Sequence, residues 1–215
     1  MTIIYEIVTF ESRRESLIIL RKMMTTKELI RIATDITEEN ISQAEKWMHK
    51  LSQNQLNWRP NPGIWSVAEI LAHLNSYSKY YHPVFKSKID GTRFRNAKDE
   101  FVSSPLGRSA WKSMKLGRLK NVKRKFKAPK SQNPTVVPSL ITGNEAEEFV
   151  KNQRELLDIF ALAQTVNMRK VKIPISISKI VRLKLGDALL FVVYHNERHM
   201  QQLSNLKKSP NFPRK

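Results

Sequence analysis

The amino-acid sequence predicts an all-α fold, an antiparallel four-helix bundle with a long basic insertion between its second and third helices. Three observations carry that expectation. Four stretches place apolar residues at the 3.6-residue period of a helix. They open on recognisable start signals, and no convincing sheet competes with them. At 215 residues the chain fits one domain and can bury a core without disulfides or a structural metal.

The first helix is expected from about Thr26 to Asn54. Thr25 and Glu28 stand at capping-box spacing, and Leu29, Ile32, Ala33 and Ile36 form an apolar stripe. Ile41, Ala44, Met48 and Leu51 continue it beyond a polar stretch at which the helix can bend. The run from Trp58 to Gly63, with Pro60 and Pro62, then breaks regular structure. The second helix has the best start signal of the chain. Ser66 and Glu69 make an S-x-x-E capping box, with Trp65 and Ile70 placed as a hydrophobic staple. Its stripe is Val67, Ile70, Leu71, Leu74, Tyr77 and Tyr81, and Pro83 predicts a kink or an end near Tyr81 or His82.

From Asp90 to Gly143 the pattern dissolves into basic residues, scattered prolines and isolated aromatics, a long excursion with room for a short helix or two. Residues 91–138 hold 13 Lys or Arg against two acids, Asp99 and Glu100, a large share of the formal charge of +19. Such a segment reads equally as a solvated insertion and as a patch that attracts nucleic acid, anionic lipid or an anionic substrate. A loop of this length inside a compact domain is usually functional or mobile. The third helix is expected to open at Thr142, with Glu145 three residues on, and to bury Phe149, Val150, Leu156, Leu157 and Phe160. Residues 171–178 alternate like a strand, but Pro174 argues for an edge or extended loop rather than a sheet. The fourth helix is expected from near Gly186–Asp187 to about Lys207. Its stripe is Ala188, Phe191, Val192, His195, His199, Gln202, Leu203 and Leu206. The bundle then spans 25–207, with 1–24 as an N-terminal extension and 208–215 as a basic tail. That extension is either an upstream addition or a loosely held segment.

Several function classes fall away. There are no cysteines, which removes disulfide frameworks, thiolate zinc sites and cysteine nucleophiles and suits a reducing cytoplasm. No apolar run approaches the roughly 18 residues that span a bilayer. Glu6, Glu11 and Glu15 interrupt the apolar patches of the N-terminus, which argues against a secretory signal. A cytoplasmic location is therefore expected.

The chemistry-bearing residues are histidines. His195 and His199 are four apart, about 40° around a helix and about 6 Å along it. Both lie on the apolar stripe of the fourth helix, and His73 lies on that of the second. Three imidazoles aimed into one bundle interior are costly polar burials unless something satisfies them together. A metal ion would do so and leave a position for water or substrate. Each taken alone also reads as a core histidine bonded to a backbone carbonyl. In the run His195-Asn196-Glu197-Arg198-His199, Glu197 points about 200° away from His195, so the zincin pattern H-E-x-x-H is excluded. His82 falls about 180° around the helix from His73, and His49 reads as a surface residue.

At these residues the chain resembles the DinB-like superfamily of DinB/YfiT-like metalloenzymes. The resemblance lies in Trp65-Ser66 before the His73 helix, in Leu185-Gly186, and in a final helix reading H-x-x-R-H-x-x-Q from His195 to Gln202. It spans roughly Thr25 to Leu206 in order, and the basic middle aligns with nothing in the pattern. It implies a four-helix bundle in which His73, His195 and His199 hold a divalent ion, zinc or nickel foremost. Gln202 is implied as the residue that holds an imidazole or a metal-bound water in place, or else as a buried amide bridging helices. Arg198 is read as an exterior salt-bridge residue and Trp65 as the staple. Members with assigned activities include bacillithiol S-transferases and mycothiol-dependent isomerases, so a low-molecular-weight thiol is an implied cosubstrate. The resulting expectation is a metal-dependent transferase or hydrolase acting on a small molecule, anionic if the basic insertion recruits it. The catalytic residues beyond the metal ligands stay unassigned, and a homodimer is allowed. The alternatives are a nucleic-acid-binding module, resting on Lys115 to Lys130 with Trp111 and Phe126 for stacking, and a metal-binding protein without turnover.

Overall fold

The structure, a computed structural model, describes residues 24–119, 121 and 126–214; residues 1–23, which hold most of the expected N-terminal extension, residues 120 and 122–125 of the basic insertion, and residue 215 of the tail lie outside it. A two-residue strand β1 (Met24–Thr25) leads into α1 (Thr26–Trp47). The Thr25 hydroxyl accepts the Glu28 N–H at 3.0 Å and so satisfies one of the free donors of the first turn. The helix stops at Trp47 rather than near Asn54. A 3-10 turn (Met48–Lys50) follows, and then α2 (Gln53–Asn57). The stop has a local cause. Ser52 and Gln55 form a capping box of their own, which starts a new helix where the old one would have continued.

The Ser66–Glu69 capping box forms in both directions and opens α3 (Val67–Asp90). Arg59 from the preceding turn pairs with the buried Glu69 carboxylate. Of the two outcomes expected at Pro83, a kink or an end, the helix does not end there: α3 passes through Pro83 and runs to Asp90. Proline in a helix interior costs about 3 kcal/mol. Burial of Phe85 and Ile89 on the stripe beyond it offsets that cost.

The insertion is not a loop laid on the surface. Its strand β2 (Glu100–Phe101) pairs antiparallel with β1, Met24 opposite Phe101 and Thr25 opposite Glu100. The Phe101 ring is 2 % exposed and sits in the main core. Helix α4 (Pro105–Met114) then packs along the last helix, with Ala110, Trp111 and Met114 against the core. Its start is held by Asp187, whose Oδ2 accepts both the Ser104 N–H, at 3.0 Å, and the Ser104 hydroxyl, at 3.1 Å. Gly107 lets the two helices meet, because a Cβ there would fall 2.1 Å from Asp187 Oδ2. Gly107→Ala is therefore expected to push α4 off its seat and destabilise the protein by about 1–3 kcal/mol, read as a lower urea midpoint.

Helix α5 (Glu145–Ala163) begins three residues later than expected, because the Glu145 carboxylate turns back to accept the N–H groups of Thr142 and Gly143. Within residues 171–178, expected as an edge or extended loop rather than a sheet, Lys172–Ile175 form β3, which pairs antiparallel with β4 (Ser178–Lys184). Pro174 is tolerated opposite Arg182 because both strands of so small a sheet are edges. The chain closes with α6 (Leu185–Lys207).

Helices α1, α3, α5 and α6 form the bundle. α3 packs on α5, α5 on α1, α1 on α6 and α6 on α3. The core falls into two clusters. One joins the start of α1, the end of α3, the end of α5 and the start of α6; the other joins the four opposite ends. So α3 and α6 run antiparallel, as do α1 and α5, whereas α3 and α5 run in the same direction, as do α1 and α6. The expected antiparallel bundle thus holds for two of the four contacts. The reason is the long connection from α3 to α5, which carries the chain back along the bundle before α5 begins. Among the described residues no helix is long and apolar enough to cross a membrane.

Candidate metal centre

His73, in the second turn of α3, and His195 and His199, on α6, meet where the two core clusters join. One ring nitrogen from each lies within 4.8 Å of the others. His73 and His195 are buried and His199 is half-buried. The Nε2 atoms of His73 and His195 face each other at 3.3 Å. Two ring nitrogens at that separation need a proton or a cation between them, because their lone pairs would otherwise repel. A tetrahedral ion with metal–nitrogen bonds of about 2.05 Å sets its ligand nitrogens roughly 3.3–3.4 Å apart, so this edge fits.

Two of the rings are oriented from behind. His73 Nδ1 lies 2.6 Å from the carbonyl oxygen of Gln132. Only an Nδ1–H can make that bond, so the lone pair of His73 is on Nε2, toward the other rings. His199 Nδ1 likewise donates to Gln202 Oε1 at 3.0 Å, which frees its Nε2. His195 Nδ1 is buried and has no partner among the described residues. The His195 ring is instead sandwiched by aromatics, with Tyr77 at 4.2 Å and Phe191 at 6.0 Å between centroids. Trp65 closes another side, 5.0 Å from His73 and nearly parallel to His199 at 6.4 Å.

Burial sets the protonation state. It lowers His73 to about 4, even though the Gln132 carbonyl favours the charged ring. His195 and His199 lie well below the usual imidazole value, again chiefly through burial. The other rings and the Arg198 charge push them the same way. All three imidazoles are therefore neutral at pH 7, the form that binds metal. Burial also pushes the Tyr77 phenol up to about 12, so next to this site it stays protonated.

The structure brings together all three histidines that the sequence singled out, with Gln202 bonded to one of them. It leaves out His82, which is buried with Nδ1 2.9 Å from a Glu155 carboxylate oxygen on another face. The His49 side chain lies outside the described residues. Two readings change. Trp65 is not merely a staple, since its ring covers two imidazoles. Arg198 is not an exterior salt-bridge residue. It is 9 % exposed, and its guanidinium sits 5.1 Å from the centre of the Phe126 ring. Trp111 stacks on Tyr194 at 5.9 Å, which removes it as a free platform for bases; the part of the Lys115–Lys130 stretch at residues 120 and 122–125 lies outside the described residues. Sequence reasoning missed Gln132. A backbone carbonyl leaves no mark in a sequence, and its segment looked patternless.

The chain is similar to an uncharacterized protein, YuaE, of Bacillus subtilis (strain 168), at 26% identity over 173 residues, which is 79% of this chain and 94% of that one. No solved structure matches. The family profile of the DinB superfamily matches residues 36–203, which include all three histidines and Gln202. The chain belongs to the DinB superfamily.

Proposed function

We propose that the protein is a metal-dependent enzyme in which His73, His195 and His199 hold one divalent ion, zinc or nickel, and which acts as a thiol S-transferase or a hydrolase on a small molecule. The observation that carries this reading is the convergence of three neutral imidazoles, two of them turned inward by the hydrogen bonds they donate to Gln132 and Gln202. When bound, such an ion lowers the pKa of water or of a thiol enough to supply a nucleophile at neutral pH. The chain supplies the rest. The Gln132 carbonyl and Gln202 fix two ring planes, so little reorganisation is needed on loading. Trp65, Tyr77 and Phe191 wall the imidazoles and limit water, and the Tyr77 hydroxyl stays available as a proton donor. A low-molecular-weight thiol is the cosubstrate that family membership favours over water.

The test begins with metal. Purified protein should carry or take up about one equivalent of zinc or nickel, and His195→Ala should lose it. Gln202→Leu should keep the fold and weaken the metal about 10–100-fold, measured by chelator competition. Histidine NMR signals that do not respond to added zinc or nickel would overturn the reading. A thiol-transfer assay with model electrophiles, run beside an ester-hydrolysis assay, then separates transferase from hydrolase.

A further inference from the structure

Arg198 stands between two rows of α6. It is about 60° around the helix from His195 and about 40° from Tyr194, the residue on which Trp111 of α4 stacks. It therefore lies at the seam where the insertion meets the histidine site. Its positive charge reaches both His195 and His199. Among the described residues its guanidinium makes no ion pair and no hydrogen bond, and it lies over the face of Phe126, 5.1 Å from the ring centre. The residue as a whole is 9 % exposed, yet none of its nitrogens is both occluded and without a partner, so the donor edge of the guanidinium stays open to solvent or to an anion. Lys115, whose ammonium lies 5.1 Å from the centre of the Tyr194 ring, adds a second cation to the same seam. The ring of Phe126 holds the guanidinium plane from one side and leaves its edge, where the donors are, for another partner.

We propose that Arg198 is the anion-recognition residue of the three-histidine site, receiving a carboxylate or phosphate of the small molecule whose reacting end meets the imidazole nitrogens. The proposal rests on the metal-centre reading for the identity of the reacting end, but not for anion binding at Arg198 itself. It gives the substrate class: a small molecule, a thiol in the transferase case, that carries an anionic group a few bonds from its reacting atom.

Two measurements test it. In metal-free protein, the Arg198 side-chain Nε–H resonance should shift on titration with acetate or inorganic phosphate, at constant ionic strength, and stay still with 2-mercaptoethanol. Whichever anion moves it at lower concentration identifies the preferred group. In cobalt-loaded protein, the thiolate-to-cobalt absorption should saturate with 3-mercaptopropionate at about a tenfold lower concentration than with 2-mercaptoethanol. Arg198→Gln should erase that preference without changing cobalt stoichiometry, and Arg198→Lys should restore part of it. A preference that survives in Arg198→Gln belongs to chelation by the metal and overturns the proposal. So does an Nε–H signal that no anion moves, a result that holds even where the Gln variant fails to fold. Failure of cobalt to bind, with the anion-dependent shift intact, would sink the metal reading and leave the anion site standing.

Discussion

Replacing residues 91–138 with a short flexible linker is expected to abolish the soluble fold rather than to leave a trimmed bundle. A solvated loop could be removed at little cost, because loop-closure entropy changes slowly with length. This segment places Phe101 in the main core, packs α4 along α6 and supplies the Gln132 carbonyl to His73. Without it the α6 face carrying Leu190 and Tyr194 would be exposed, together with the buried Asp187 carboxylate that now holds Ser104. Phe101→Ala alone should cost about 3–5 kcal/mol, the range for a fully buried aromatic. Soluble yield and far-UV circular dichroism of the shortened chain, beside urea melts of the Phe101 variant, decide the matter. A shortened chain that melts cooperatively near the parent temperature would show that α4 is dispensable.

How much of this was legible beforehand follows the range of the signals. Ser66, Glu69 and the stripe from Val67 to Tyr81 are local and strong, and they placed His73 on an inward face without any structure. The i, i+4 pair His195 and His199 is equally local, and Gln202 follows from the same periodicity. What escaped depends on partners distant in sequence. Pro83 reads as a breaker until the burial of Phe85 and Ile89 is known. Arg198 reads as exterior because nothing in the periodicity of α6 shows that an insertion covers that side. A short helix was expected somewhere in 91–138, but the basic composition hid its place, Pro105–Met114, because its apolar positions are few and its seat depends on Gly107 meeting Asp187. The relative direction of α3 and α5 is likewise a property of the connection, not of either helix.

The second large effect concerns acid. In metal-free protein, stability should be complete above about pH 6.5 and should fall as the pH is lowered toward 4. In the unfolded chain a histidine titrates near 6.5. In the folded protein burial holds His73 at about 4, so between these values the unfolded state binds a proton that the native state refuses. Stability rises with pH wherever the unfolded state binds more protons, so acid must destabilise across that window and level off below it. A shift of this size corresponds to roughly 3 kcal/mol from His73 alone. His195 and His199 are shifted in the same direction and steepen the loss. His82, also lowered by burial although Glu155 favours its charged form, contributes in the same sense, so the site must be isolated by resonance. The His73 imidazole C2–H signal should not move between pH 8 and 5, whereas that of an exposed histidine would. Zinc should raise the melting temperature at pH 7 in proportion to the logarithm of its concentration over its dissociation constant. That increment should persist at pH 5, where the folded rings are still neutral, and be lost only as the pH falls through about 4, where ligation and protonation compete for the same nitrogens. A melting temperature independent of both pH and zinc across this range would mean that the three rings are neither buried as neutral groups nor ligands.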